Sequence, residues 1–212
     1  MVDSFRTTEG SVYSQRSGLI LGFHGTDESI VHEIVLNRQS IKFSENPWDW
    51  IGHGAYFWEH SPQRALDFAR NASKRGNSMI RNPAVLGAVL DLGHCLDLID
   101  YENMGLIKDG YELVKSRNAP LPENKTATTG VNGELLIRDL DCAVVEMIHQ
   151  IRLLNHREPF DSVKAVFWEG NLLYPNAGFR EKNHIQICIR NPNCIKGFFI
   201  PRSQQISRRP AP

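Results

Sequence analysis

Three short segments carry residue types and spacings that can do chemistry. His24 ends the apolar run Gly18-Leu-Ile-Leu-Gly-Phe-His24 and is followed by Gly25-Thr26. Its imidazole can donate from one ring nitrogen and accept at the other, and the glycine lets a ligand approach the backbone closely. Tyr56 follows Gly52-His53-Gly54-Ala55 and precedes Phe57. Two glycines around one residue permit a sharp bend that delivers an aromatic ring to a chosen place. The third segment, Glu181-Lys-Asn-His-Ile-Gln186-Ile-Cys-Ile-Arg190, reads as a strand with polar residues at its mouth. Taken singly these are a turn histidine, a bend beside a core aromatic and a solvated strand end. Their order and spacing together make the case. Glu59, Glu169 and Glu181 are the candidate carboxylates, each of which alone reads as a solvated acid. Glu59 and Glu169 rank first, because Phe57, Trp58, Phe167 and Trp168 beside them imply partial burial, which raises a carboxyl pKa and suits it to act as a base. His53 and His60 flank Tyr56, and His149 and His156 lie seven apart, but no cysteine or carboxylate spacing completes a metal site. No metal is expected.

The elements that must position these residues follow from hydrophobic pattern and punctuation. Residues 18–24 read as a buried strand. Asp27-Glu28 opens a helix with Ile30, Val31, Ile34 and Val35 on one face. Residues 37–52 are loop-like, with Pro47, Trp48 and Trp50 inside. Ser61-Pro62 is an N-cap serine followed by an N1 proline, and the helix behind it carries Ala65, Leu66, Phe68 and Ala69. Residues 85–92 read as a strand, which Cys95–Leu98 extends or follows with another. Residues 118–133, rich in Pro, Gly and Thr, form the longest loop. Leu140, Ala143, Val144, Met147, Ile148, Ile151 and Leu154 recur at helical spacing over 138–154. Strands follow at 163–168, 185–189 and 195–200. Strands at both ends with helices between them predict an α+β fold with a largely antiparallel or mixed sheet. There is no GxGxxG after a strand and no Walker A loop.

The chain has 212 residues, which suits one domain over 18–200, preceded by an arm (1–17) and followed by a flexible tail (201–212). Lys and Arg number 24, and so do Asp and Glu; this neutral balance leaves no electrostatic footprint for DNA or an anionic membrane. Cys142 falls on an apolar helical face and Cys188 in an alternating strand, so buried free thiols are expected and, with them, a reducing, cytoplasmic setting. No apolar stretch resembles a secretion signal or a membrane span.

The order H-G-T, then G-x-G-A-Y-F with a helix behind it, then a late strand with a polar head, resembles the diphtheria-toxin-like ADP-ribosyltransferases. That branch includes the poly(ADP-ribose) polymerases and is labelled by an H-Y-E triad. The matching pieces span about residues 18–70 and 163–200. The resemblance implies a split antiparallel sheet core flanked by helices, with NAD+ bound between the halves. It implies that His24 hydrogen-bonds a ribose hydroxyl of NAD+, that the Gly25-Thr26 backbone holds the nicotinamide carboxamide, and that Tyr56 stacks on the nicotinamide ring. Phe68 would supply the opposite wall. Nicotinamide in NAD+ is a flat cationic ring, for which an aromatic slot is a good holder. Its loss leaves an oxocarbenium-like ribose that a carboxylate stabilises. Here the chain departs from the pattern: laying the family's strand on Gln186-Ile-Cys-Ile-Arg-Asn puts Gln186 where the glutamate belongs. An amide hydrogen-bonds a ribose hydroxyl but carries no charge and is no base. Polymer formation is thereby disfavoured, and Glu169 or Glu59 is left to supply the charge. The leading expectation is mono-ADP-ribosyl transfer from NAD+ to a macromolecule, protein or nucleic acid. The alternatives are NAD+ hydrolysis and an inactive module that binds NAD+ or ADP-ribose. Trp48 and Trp50 would cap the adenosine, contact a target or anchor their loop. By analogy alone, such an activity fits a toxin or defence effector with a neutralising antitoxin partner.

Overall fold

A computed structural model describes residues 18–126 and 134–202. The predicted arm (1–17), the tail from 203 and the last seven residues of the predicted 118–133 loop lie outside the described residues.

Seven strands form one mixed sheet. They are β1 (Ile20–Asp27), β2 (Ala55–Glu59), β3 (Pro83–Leu90), β4 (Cys95–Asp97), β7 (Ser162–Phe167), β8 (His184–Ile189) and β9 (Ile195–Phe199), with β5 (Asn124–Thr126) and β6 (Leu135–Arg138) paired apart from it. The sheet order is β4-β7-β8-β2-β1-β3-β9. Every pairing is antiparallel except β4 with β7. The expectation of an antiparallel core is corrected at this edge. Between β4 and β7 the chain makes a helical crossover, and a crossover of that kind returns parallel. The four helices among the described residues are α1 (Glu28–Leu36), α2 (Pro62–Ser73), α3 (Met104–Ser116) and α4 (Asp139–Leu154).

The centre of the sheet is its thinnest seam. β1 pairs with β3 along its whole length, but its ladder with β2 spans only Gly22↔Glu59 and Phe23↔Trp58. Strand alternation then assigns faces. Phe23, Trp58 and Gln186 stand side by side on one face, with Tyr56 and Cys188 next along. Gly22, His24, Phe57, Ile187 and Lys164 belong to the other. α1 covers that other face through Val31 and Ile34 packed on Phe57 and Leu86. α3 and α4 cover the Tyr56 side, with Val144, Val145 and Ile148 against Val163, Phe167 and Cys188. α2 lies on the same side, where Ala65 meets Phe23 and Trp58.

Several local expectations are corrected. Asp27 caps α1 by accepting from the Ser29 amide, but Ser61, at the N-cap of α2, makes no side-chain capping bond. Leu154 is exposed, and so is Trp168, beyond the end of β7. β5 stands inside the predicted 118–133 loop, and β6 fills the stretch between that loop and the predicted helix. α3 was unpredicted because Gly105 and Gly110 lower its helix propensity. Gly110 is required by packing: a Cβ there would lie 2.8 Å from Ile148 and 3.1 Å from the Val144 carbonyl of α4.

Candidate functional site

His24 sits where the seam opens. Its Nδ1 lies 2.8 Å from the Tyr56 carbonyl oxygen. A carbonyl can only accept, so Nδ1 carries the proton. Burial lowers the pKa of His24, against the opposing pull of that hydrogen bond, and the ring stays neutral. Nε2 is therefore a bare acceptor, suited to a hydroxyl. His24 and Tyr56 are joined, but through the Tyr56 backbone. The two side chains point to opposite faces of the sheet.

The Tyr56 phenol is already engaged. It donates to the Gly52 carbonyl at 2.6 Å and accepts from the Ile51 amide at 3.0 Å, closing the turn that precedes it. Burial pushes its pKa up, so it is no base. The turn depends on its glycines. Gly52 and Gly54 have φ of 83° and 155°, and a Cβ on Gly54 would come within 2.4 Å of the Ile189 carbonyl. Glu146 of α4 holds the same turn by accepting from the His53 amide at 2.8 Å, while the Arg190 guanidinium grips both Glu146 carboxylate oxygens and the His53 carbonyl. Burial pushes the Glu146 carboxyl up, but the Arg190 and His53 contacts outweigh it and hold it below its ordinary range. The Glu146–Arg190 brace escaped sequence reading, because its partners lie 44 residues apart.

Gly25 has a packing reason that is independent of any ligand. A Cβ there would fall 2.0 Å from the Ala65 carbonyl of α2. Thr26 follows on the stretch of β1 that β2 does not pair. Phe68 packs on Trp58, ring centroids 5.0 Å apart, so the aromatic it walls in is Trp58.

The richest chemistry gathers around Trp58, between α2 and the start of β8. Trp58, His184 and Gln186 are 3%, 8% and 8% exposed, so each is shut from water, yet Trp58 Nε1, His184 Nε2 and Gln186 Oε1 find no hydrogen-bond partner among the described residues. Arg64 Nε is a fourth such atom. The Arg64 guanidinium lies 5.6 Å from the Trp58 ring centroid, and the His184 ring lies 6.3 Å from it. Buried polar groups left unpaired cost about 1–3 kcal/mol each. Four such atoms gather around this one ring. Trp58 and Arg64 offer donors; His184 and Gln186 offer acceptors.

The candidate carboxylates separate by face. Glu169 lies on the Trp58 side: its Oε2 is 2.5 Å from Arg64 Nη2 and 4.0 Å from His184 Nδ1. Glu59 points to the opposite face, where its Oε2 meets Lys164 Nζ at 2.6 Å. Lys164 is only 1% exposed, and stranding a buried charge costs about 3–5 kcal/mol, so Glu59 serves as its counter-ion. Glu181 bonds the Asn171 amide and side chain in an exposed turn. Trp50 anchors its loop through a 3.0 Å bond from Nε1 to the Leu136 carbonyl, under the Arg138 guanidinium, whereas Trp48 is exposed. Arg64 and His184 were missed by sequence reading. An arginine inside a helix and a histidine opening a strand carry no motif.

The described residues hold no group of three His, Cys, Asp or Glu side chains that could bind a metal, and no helix among them is long and apolar enough to cross a membrane. Compared with known proteins, the chain matches no family model, no curated protein and no solved structure.

Proposed function

We propose that this chain binds NAD+ where β1 and β2 part, breaks the nicotinamide–ribose bond, and transfers ADP-ribose to a macromolecular acceptor. The observation that carries the reading is the set of four buried, unpartnered polar atoms around Trp58, beside a central ladder of two residue pairs. Two donors and two acceptors complement a carboxamide or a ribose diol, both of which NAD+ presents. His24 Nε2 would accept from a ribose hydroxyl across the seam. The Trp58–Phe68 pair gives an aromatic wall for a flat cationic ring, and Glu169 supplies negative charge on the same face. The resemblance to the diphtheria-toxin-like transferases points the same way. Within this reading the split-sheet architecture, Tyr56 as a stacking ring and a toxin or defence role with a neutralising partner are part of the proposal.

Hydrolysis is the second reading, and one observation favours it. The unpartnered atoms have essentially no exposed surface, which leaves less room for a bulky target than for a single water molecule admitted with NAD+. Incubation with NAD+ labelled in its adenylate half tests both. The expected outcome is release of nicotinamide, with the label either on a protein or nucleic-acid band of a lysate or in free ADP-ribose. His24→Ala should abolish either product while the far-ultraviolet circular dichroism is kept. No NAD+ binding by calorimetry and no nicotinamide release would sink the reading.

A further inference from the structure

Gln186 leaves the reaction without the base that its position would otherwise supply, and the structure offers a replacement two residues away on the same face. His184 opens β8, and its side chain is 2% exposed. Its Nδ1 lies 2.6 Å from the Lys182 carbonyl oxygen, which fixes the proton on Nδ1 and leaves Nε2 as a lone pair. That Nε2 has no partner among the described residues. The other groups nearby are committed. Glu169 is bound by Arg64, Glu59 neutralises Lys164 on the far face, and the Tyr56 phenol closes its own turn. Gln186 is an amide and accepts no proton at working pH.

We propose that His184 is the general base of the reaction, with Nε2 taking the proton of a hydroxyl acceptor, water or a hydroxyl of a target, as that oxygen attacks C1′ of the nicotinamide ribose. The inference rests on the NAD+-cleaving reading. The C1′–N bond breaks and its electron pair goes to the nicotinamide ring, which leaves neutral. The acceptor oxygen forms the new C1′–O bond. Its proton passes to Nε2 and then to solvent, so NAD+ and ROH yield the ADP-ribosyl product, nicotinamide and one proton. Nicotinamide needs no protonation to leave, so a single base suffices.

The surroundings suit that role. Trp58 of β2, Phe167 of β7 and Trp50 of the preceding loop enclose the imidazole at ring-centroid distances of 6.3, 5.6 and 6.5 Å. The charged groups facing it are Arg64 of α2, Glu169 beyond β7 and Arg138 at the end of β6. Burial lowers the His184 pKa, the Lys182 carbonyl and Glu169 pull it up, and Arg64 and Arg138 push it down. The net result is a ring that rests neutral and ready to accept. Once protonated, the imidazolium has the Glu169 carboxylate 4.0 Å from its other nitrogen.

The test is the pH profile of nicotinamide release by the full chain, with His184→Asn and His184→Ala. Asparagine can still donate to the Lys182 carbonyl but cannot act as a base. The wild-type rate should fall as pH drops through the histidine range, below about 6.5. His184→Asn should lose about 100-fold or more in kcat, the usual yield of a positioned base. Its KM for NAD+ should hold and its acid limb should vanish. Added imidazole should restore part of the His184→Ala rate, which a merely structural histidine would not allow. An active wild type whose His184→Asn keeps its rate and acid limb overturns this inference and leaves NAD+ cleavage standing. A wild type that releases no nicotinamide overturns both. If neither variant folds, the wild-type profile decides: a rate with no acid limb down to the lowest pH at which the fold persists rules His184 out. Free ADP-ribose against a labelled macromolecule tells which hydroxyl is the acceptor.

Discussion

Asp27 shows how much one side chain can hold. Its carboxylate accepts from the Arg81, Asn82 and Ser29 amides and from the Ser29 hydroxyl, tying the end of β1 to the start of α1 and to the entry of β3. The Asn82 amide, then the Ser29 and Arg81 contacts, hold its pKa far below the ordinary carboxylate value. Because the folded pKa is depressed, the stability it contributes is present above the unfolded pKa of about 4 and is lost as pH falls below that value toward the folded one. Urea melts from pH about 5 down to 2 should show this loss, and Asp27→Asn should flatten it and lower stability at neutral pH by about 1–3 kcal/mol. An unchanged acid slope would show that Asp27 titrates normally. The sequence places Asp27 at the opening of a helix, where an acidic residue suits the positive end. Its bonds to Arg81 and Asn82, 54 and 55 residues on, are visible only in the fold.

At the scale of elements, the pairing of α3 with α4 rests on a helical glycine. Replacing Gly110 by alanine raises intrinsic helix propensity by about 1 kcal/mol. The new Cβ would stand 2.8 Å from Ile148 and 3.1 Å from the Val144 carbonyl, and overpacking of that kind costs about 1–3 kcal/mol. Packing wins because the nearest atom is the branched base of the Ile148 side chain, which is held in the core, with a backbone carbonyl close behind it. Gly110→Ala should therefore destabilise, read as a lower urea midpoint at constant slope. Gly105, with nothing near its would-be Cβ, should gain stability on the same change. A stabilised Gly110→Ala would mean that the two helices separate freely. The helix at 139–154 was legible because its apolar positions repeat on one face, and α3 was not because its glycines answer to α4.

At the scale of the whole molecule, Cys142, Cys188 and Cys194 are buried thiols outside any disulfide. Burial pushes the Cys142 thiol up to about 12 and the Cys194 thiol up to about 11. Such thiols are protonated and slow to react at neutral pH. Thiol titration of the native protein should leave Cys142, Cys188 and Cys194 unlabelled until denaturant is added. Labelling of any of these three in the native protein would show that its burial is transient. The fold is instead held by core clusters on both faces of a sheet whose central ladder spans two residue pairs. Packing that crosses the short β1–β2 ladder, Phe23 on Trp58 on one face and Phe57 with Leu86 on the other, holds the two halves of the sheet together.

The sequence by itself determined the strands at both ends, α1, α2 and α4, the mixed α+β class and the glycine-bounded turn before Tyr56. Each rests on local periodicity, on capping residues or on glycine's freedom at positive φ, and such signals need no partner. Only the tertiary structure decided that His24 reaches Tyr56 through a carbonyl and that Tyr56 spends its hydroxyl on its own turn. It alone placed Glu59 and Glu169 on opposite faces, and it alone brought Trp58, Arg64, His184 and Gln186 together. The reason is register. Which face a strand residue takes is set by its cross-strand partner, and a slip of one residue reverses it. For Glu59, Glu169, Trp58 and Gln186 that information lies in the pairing of segments more than a hundred residues apart, where no local pattern records it.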